Sequence, residues 1–213
     1  MAINPNQILP QQCLIIFSRY PEAGKTKTRM IPALGAEGAA NLQRRMTEHT
    51  LAQAKELQGA MAVVVEVHFA GGNQSLMAEW LGMDVVCKPQ TSGDLGTRMA
   101  SAFNNAFAGG MERVVMIGID CPDIDGKLLQ EAFKYLQNHD LVLGEAEDGG
   151  YYLIGLSSHQ KELFTGISWG TGEVFRQTRD IAEKLNLSTA YLRVLNDVDR
   201  PEDLPIWLKY GAQ

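Results

Sequence analysis

The sequence predicts a three-layer α/β domain built on a mainly parallel sheet, and three observations carry that prediction. Five short runs rich in Val, Ile and Leu are continuous rather than alternating, as strands buried on both faces require. Between them lie stretches whose apolar residues recur three and four apart, as on amphipathic helices. The two kinds of segment alternate along the chain, and right-handed crossovers wind such a series into a mostly parallel sheet covered on both sides.

The elements follow in order. CLIIF (13–17) reads as the first strand, and the polar loop after it leads into the helical stretch AEGAANLQRRMTEHTLAQAKEL (36–57). MAVVVEVHF (61–69) is the second strand, followed by the short helix SLMAEWL (75–81) and the third strand DVVC (84–87). TRMASAFNNAFAG (97–109) is helical, and RVVMIGI (113–119) is the fourth strand. GKLLQEAFKYLQNH (126–139) is the next helix, with Asp123 or Asp125 placed to cap it, and DLVLG (140–144) is the fifth strand. Asp148-Gly149 between apolar runs is a hairpin signal, with YYLIGL (151–156) as the returning strand. With no internal repeat, low-complexity tract or Gly/Ser linker, residues 1–213 read as one domain, residues 1–12 forming an N-terminal extension.

Composition narrows the function. With 213 residues, 45% of them hydrophobic, the chain can bury a sizeable core. Its net charge of -6 leaves no basic footprint for nucleic acid and points to a small-molecule partner. The opening MAINPNQILPQQ has neither a basic nor an apolar leader region, and no segment approaches the roughly 18 apolar residues of a bilayer span, so a cytosolic (cytoplasmic) protein is expected. Cys13, Cys87 and Cys121 have no metal-type spacing and read as buried thiols.

In open α/β sheets ligands bind beyond the carboxyl ends of the strands, where loops carry polar groups on a rigid base. Asp120, in VVMIGIDCPDID (114–125), stands at such an end. It can hold a divalent cation that bridges phosphate oxygens, or it can be a turn former. After the first strand, SRYPEAGKTKTRMIP sets Lys25, Lys27 and Arg29 beside Gly24, three cations for an anionic phosphate chain or a solvated basic loop. It is no Walker loop: the required first glycine is Arg19, and Pro32 is expected to cut short the helix that should follow.

After the third strand, KPQTSGDLGTRM (88–99) supplies Gly93 and Gly96 around Asp94, with Arg98 in a first helical turn. Glycines there would let backbone approach a base or ribose, although a Gly-Asp turn before a helix is common. Asp148 can face the same crevice as Asp120 or simply turn a hairpin. In NDVDRPEDL (196–204), Asp199, Pro201 and Glu202 have the spacing of a capping box, whereas Asp197 and Asp199 share one face of an extended segment and offer a second arm for a metal. SWGTGEVF (168–175) can shape an acceptor pocket or pack Trp169 on the sheet.

Taken in order, FSRYPEAGKTKTR, SGDLGTRM, IGIDCPDI, DGGYYLIGL and DVDRPEDL resemble the bacterial glycosyltransferase-A-like transferases found beside radical-SAM and selenium-related proteins, a group also linked to arsenosugar biosynthesis. The resemblance spans residues 13–208. The KTKTR loop is also similar to that of phospholactate guanylyltransferases, and DVDRPEDL to the terminal motif of several sugar nucleotidyltransferases. The resemblance implies a nucleotide-diphospho-sugar transferase (glycosyltransferase-A) fold and a site for Mg²⁺ or Mn²⁺, with Asp120 as the metal and nucleotide carboxylate and Asp199 as a metal ligand. The chain departs from the group in two ways: it lacks the Asp-x-Asp spacing of typical glycosyltransferases, reading Asp120-Cys121-Pro122, and it lacks a Gly-Gly-rich N-terminal signature.

The expected site therefore has Asp120 and Asp148 as catalytic carboxylates, Asp120 and Asp199 as metal ligands, and Lys25, Lys27, Arg29, Gly93, Asp94, Gly96 and Arg98 around the nucleotide. The expected partners are a nucleotide or nucleotide-sugar and a small acceptor. Glycosyl transfer leads, nucleotidyl transfer from a nucleoside triphosphate to a small phosphorylated substrate is the alternative, and a catalytically silent nucleotide-binding protein is the third.

Overall fold

The structure, a computed structural model, describes residues 11–210; most of the expected N-terminal extension lies outside the described residues. Seven strands form one mixed sheet in the order β3-β2-β1-β4-β6-β5-β7. They are β1 (Gln12–Arg19), β2 (Val64–Ala70), β3 (Val86–Pro89), β4 (Arg113–Ile117), β5 (Leu141–Ala146), β6 (Tyr151–Leu156) and β7 (Thr189–Leu195). Among the described strands only β6 runs against the others, pairing antiparallel with both β4 and β5. That reversal is what the hairpin signal at Asp148-Gly149 predicts.

The α-helices among the described residues are α1 (Ile31–Ala60), α2 (Gln74–Leu81), α3 (Leu95–Ala108), α4 (Gly126–Tyr135), α5 (Val174–Lys184) and α6 (Leu204–Leu208). Side chains of β1 alternate between two cores: Leu14 and Ile16 join the layer under α1, α2 and α4, and Cys13 and Ile15 join the layer under α3 and α5. Strand β4 divides in the same way, Val115 and Ile117 against Val114 and Met116. A strand with a core on each face has no polar side to show, so its sequence is apolar at every position.

Two elements differ from the sequence reading. Helix α1 begins at Ile31 with Pro32 in its first turn, where proline's missing N–H costs nothing. Proline thus opens the helix instead of cutting it short, and the break falls at Gly35, whose φ of 70° and ψ of 170° kink the helix. The PEDL cap is also shifted by one residue. The Asp203 carboxylate accepts from the backbone N–H of Asp199 and Arg200 at 3.1 and 2.8 Å, so the Asp199 side chain is released from capping. All three cysteines are buried and free, and burial pushes the Cys13 thiol up to about 12. Among the described residues no helix is long and apolar enough to cross a membrane.

Candidate functional site

The strand order reverses direction between β1 and β4: the chain steps outward from β1 to β2 and β3, then returns to place β4 on the other side of β1. Loops leaving the carboxyl ends of β1 and β4 therefore diverge and leave a crevice between them. That crevice is a cleft of about 470 Å³. It is lined by Lys25, Lys27 and Arg29 from the loop after β1, Gln90 from the end of β3, Leu95 and Arg98 from α3, Asp120 from the loop after β4, and Asp199.

Lys27 is the pin of this cleft. Its backbone is left-handed (φ 46°, ψ 43°), a conformation that costs a non-glycine residue roughly 1–2 kcal/mol. The side chain gains what the backbone gives up: Nζ donates to Asp120 Oδ1 at 2.7 Å and to the Val198 carbonyl at 2.5 Å, and it is only 4% exposed. The Val198 N–H in turn donates to the Asp120 carbonyl at 2.7 Å. Three segments distant in sequence are thereby knotted at one point.

The other two cations of the loop stand outward. Lys25 pairs with Glu22 at 2.7 Å, and Arg29 pairs with Asp199; the lysine and arginine side chains are 64% and 60% exposed. The hydrogen bond and negative charge of Asp199 hold the Arg29 guanidinium still more firmly protonated than usual. Both ion pairs are solvent-exposed and therefore weak, so either cation can exchange its carboxylate for a phosphate at little cost.

At the far end of the cleft, Gln90 Nε2 donates to the carbonyls of Ser18 (3.3 Å) and His68 (2.9 Å). Its Oε1 accepts from Arg98 Nη1 at 3.1 Å, and Arg98 Nε donates to the Asp94 carbonyl at 3.3 Å. Asp94 caps α3, accepting from the Thr97 N–H at 2.8 Å, and the Thr97 hydroxyl first, then that backbone bond, hold its carboxyl below the usual range. Gly93 takes a φ of 120° in the turn before it. Gly96 is buried, and a β-carbon there would stand 2.5 Å from the Phe164 carbonyl and 2.6 Å from Trp169 Nε1. Arg98 is thus in the cleft wall, while Gly93, Asp94 and Gly96 shape the helix start behind it. Trp169 packs on α3 and edge-on to Tyr151, on the packing side of the two readings of SWGTGEVF.

A second cleft of about 360 Å³ opens on the other side of Arg29 and Asp199, which line both. Asp148, Asp197 and the loop Gly170 to Gly172 face it. Asp148 turns the β5–β6 hairpin, its Oδ1 accepting from the Gly150 N–H at 2.8 Å. Burial, and then the neighbouring charge of Asp148, push the Asp197 carboxyl above the usual carboxylate range.

Among the described residues no group of three or more His, Cys, Asp and Glu side chains forms a complete cage for a metal. The donors of the first cleft nevertheless suit a hard cation. Mg²⁺ and Mn²⁺ prefer oxygen and are commonly held by one or two carboxylates together with substrate phosphates. Asp120 and Asp199 both line the cleft and supply two carboxylates, and the Asp120 side chain is 48% exposed despite its bond to Lys27. Gln90 and Phe17 also line this cleft and escaped the sequence reading; the available signal was Gln90's place directly after the Pro that closes β3.

Known structures share this fold. A candidate nucleotide-diphospho-sugar transferase from Desulfovibrio desulfuricans G20 aligns with a TM-score of 0.89 at 33% identity, over 96% of this chain and 89% of that one. CMP:2-keto-3-deoxy-manno-octonic acid synthetase complexed with CTP aligns with a TM-score of 0.59 at 10% identity, over 95% of this chain and 98% of that one. Glucosyl-3-phosphoglycerate synthase from Mycobacterium tuberculosis, in complex with Mn²⁺, UDP and glucosyl-3-phosphoglycerate, aligns with a TM-score of 0.54 at 13% identity, over 91% and 74%. At such identities the last two speak to the fold alone, which is that of the nucleotide-diphospho-sugar transferases. No protein of curated function matches in sequence. A family model does match, over residues 38–171, and the chain belongs to that family, described as an uncharacterized protein conserved in bacteria (DUF2064).

Proposed function

We propose that the protein is a transferase with an activated nucleotide as donor, and that it moves a glycosyl group from a nucleotide-sugar to a small acceptor. One observation carries the choice of glycosyl over nucleotidyl transfer: the ammonium of Lys27 is already spent on Asp120 and Val198, and the side chain is 4% exposed. A loop built to grip a triphosphate would present all three cations; this one has Lys25 and Arg29 to offer, enough for a diphosphate.

In this reading the diphosphate lies across the first cleft, and Arg29 leaves Asp199 to bind it. Asp120, oriented by Lys27, and Asp199 would hold Mg²⁺ or Mn²⁺, which when bound supplies positive charge to the leaving diphosphate. The acceptor enters from the second cleft. Its hydroxyl oxygen attacks the anomeric carbon, the bond from that carbon to the diphosphate oxygen breaks with its electron pair leaving on the diphosphate, and the hydroxyl proton passes to the Asp148 carboxylate.

The test is calorimetry with UDP, GDP, CDP and ADP in Mn²⁺. Asp199→Asn is expected to weaken the best-bound diphosphate by about tenfold or more, because an amide keeps the shape and loses the charge that a hard cation needs. Arg29 and Asp199 form an exposed pair, so the variant retains its fold. Equal affinity in variant and parent overturns the metal role. Release of pyrophosphate from a nucleoside triphosphate, in place of diphosphate from a nucleotide-sugar, reassigns the protein to nucleotidyl transfer.

A further inference from the structure

The end of the cleft opposite Lys25 and Arg29 has a polar arrangement that phosphate binding leaves unexplained. Both hydrogens of the Gln90 amide are committed to backbone carbonyls, those of Ser18 and His68. This fixes which way the amide points: its oxygen must face Arg98, and it accepts from Nη1. The Nε of Arg98 is held by the Asp94 carbonyl. A guanidinium has five N–H donors in one plane. Two are spent, and the three that remain, one on Nη1 and two on Nη2, belong to a half-buried group in the wall of an open cleft.

Position assigns this end to the base. Gln90 follows β3 and Asp120 follows β4, and these strands are three places apart in the sheet, so their ends lie about 14 Å apart at roughly 4.8 Å per strand. That is the reach of a nucleoside diphosphate from base to terminal phosphate. Apolar surface for a base face is present too: Leu95 and Phe17 line the same end, and the Phe17 ring is backed by a stacked His68 ring at 5.9 Å.

We propose that Arg98, oriented by Gln90, reads the nucleobase, and that it selects a base edge with two adjacent acceptors and no donor between them. Guanine presents such an edge at O6 and N7, and cytosine at O2 and N3. Adenine sets its amino group between N1 and N7, and uracil sets N3–H between its two carbonyls, so on these edges each meets an arginine with a donor facing a donor. The proposal rests on the reading of the cleft as a nucleotide site and adds the class of nucleotide. Gln90 is a positioning residue in it, and Arg98 sets specificity.

The experiment is a panel of binding isotherms for GDP, CDP, UDP and ADP at fixed Mn²⁺ and salt, with the parent, Arg98→Lys and Gln90→Glu. The parent is expected to bind GDP or CDP about tenfold or more tightly than UDP and ADP. Arg98→Lys keeps the charge and loses the planar fork, so the preference should collapse while binding itself persists. Gln90→Glu cannot donate to the two carbonyls, and the same collapse is expected. The analogue 7-deaza-GDP, which lacks N7, separates the two sources: its loss of affinity identifies guanine, and a CDP preference identifies cytosine. A parent preference for UDP or ADP overturns the proposal, as does a uniform weakening of all four by Arg98→Lys with their ratios unchanged, which would make Arg98 a phosphate contact. If no diphosphate binds, the nucleotide reading of the cleft falls as well.

Discussion

Glu66 and His68 interrupt an otherwise apolar β2, two positions apart and hence on one face of the strand. Both are buried, and each is satisfied: His68 Nε2 and Glu66 Oε2 are 2.9 Å apart, and Lys88 Nζ donates to Glu66 Oε1 at 2.6 Å. Burial alone would raise the Glu66 carboxyl, but the hydrogen bonds from His68 and Lys88 outweigh it, and the net shift is downward from 4.5. A carboxyl lowered in the folded state contributes stability that is fully present above its unfolded value and disappears as pH falls through the folded one. Glu66→Gln should therefore cost about 1–3 kcal/mol at pH 7, where the parent's carboxylate is ionised. The gap between parent and variant should narrow on acidification below 4.5. Urea denaturation at pH 7 and at an acid pH checks this, and a gap that is the same at both shows the charge to be irrelevant. The same residue explains part of what the sequence concealed. Glu66, His68 and Lys88 form one unit only after β2 and β3 pair, and Lys27 meets Asp120 across the whole β1–β4 half of the chain. Single side chains of this kind carry no periodic signal.

At the scale of elements, legibility followed burial. Strands β1, β4 and β5 have cores on both faces and β2 packs Val65, Val67 and Phe69 into one, so their apolar runs stood out in the sequence, and the hairpin to β6 was marked by Asp148-Gly149. Strand β7 was missed because it is an edge strand: Tyr191 and Val194 are exposed and only Ala190, Leu192 and Leu195 are buried. Helix α5 was missed for a related reason, since VFRQTRDIAEK buries only Val174, Thr178 and Ala182 and is otherwise charged or polar. The start of α3 shows what the sequence could not tell. SGDLGTRM identified a glycine-bearing turn correctly, but whether Gly96 faces a ligand or another helix depends on Phe164 and Trp169, more than 60 residues on. We predict that Gly96→Ala destabilises the fold by about 1–3 kcal/mol, because the added carbon meets a backbone carbonyl and the Trp169 ring. Thermal unfolding of the variant measures it, and unchanged stability would mean that the neighbouring loop yields freely.

For the molecule as a whole, the two cores are joined through β1, β4, β5 and β6, with Leu14 and Ile16 of β1 in one and Cys13 and Ile15 in the other. Neither layer can be lost while the other stays, because the sheet between them would expose one of its faces. We accordingly propose a single cooperative domain and predict one unfolding transition, with near-equality of the calorimetric and van't Hoff enthalpies. Two resolved transitions would show that the β1–β3 and β4–β7 portions unfold independently.

The place of β1 in the sheet has a consequence during synthesis. Of the described strands it leaves the ribosome before its partners, yet one of its two neighbours is β4, with Cys13 in register with Val114, about 100 residues later in translation. Until then the emerging chain can pair β1 with β2 on one side and must leave the other edge, Cys13 to Ile16, bare and strongly apolar. An unpaired edge of that kind is a template for other chains. Nascent chains arrested before residue 113 should thus be the aggregation-prone and chaperone-bound species, and those arrested after β4 is exposed should be markedly less so.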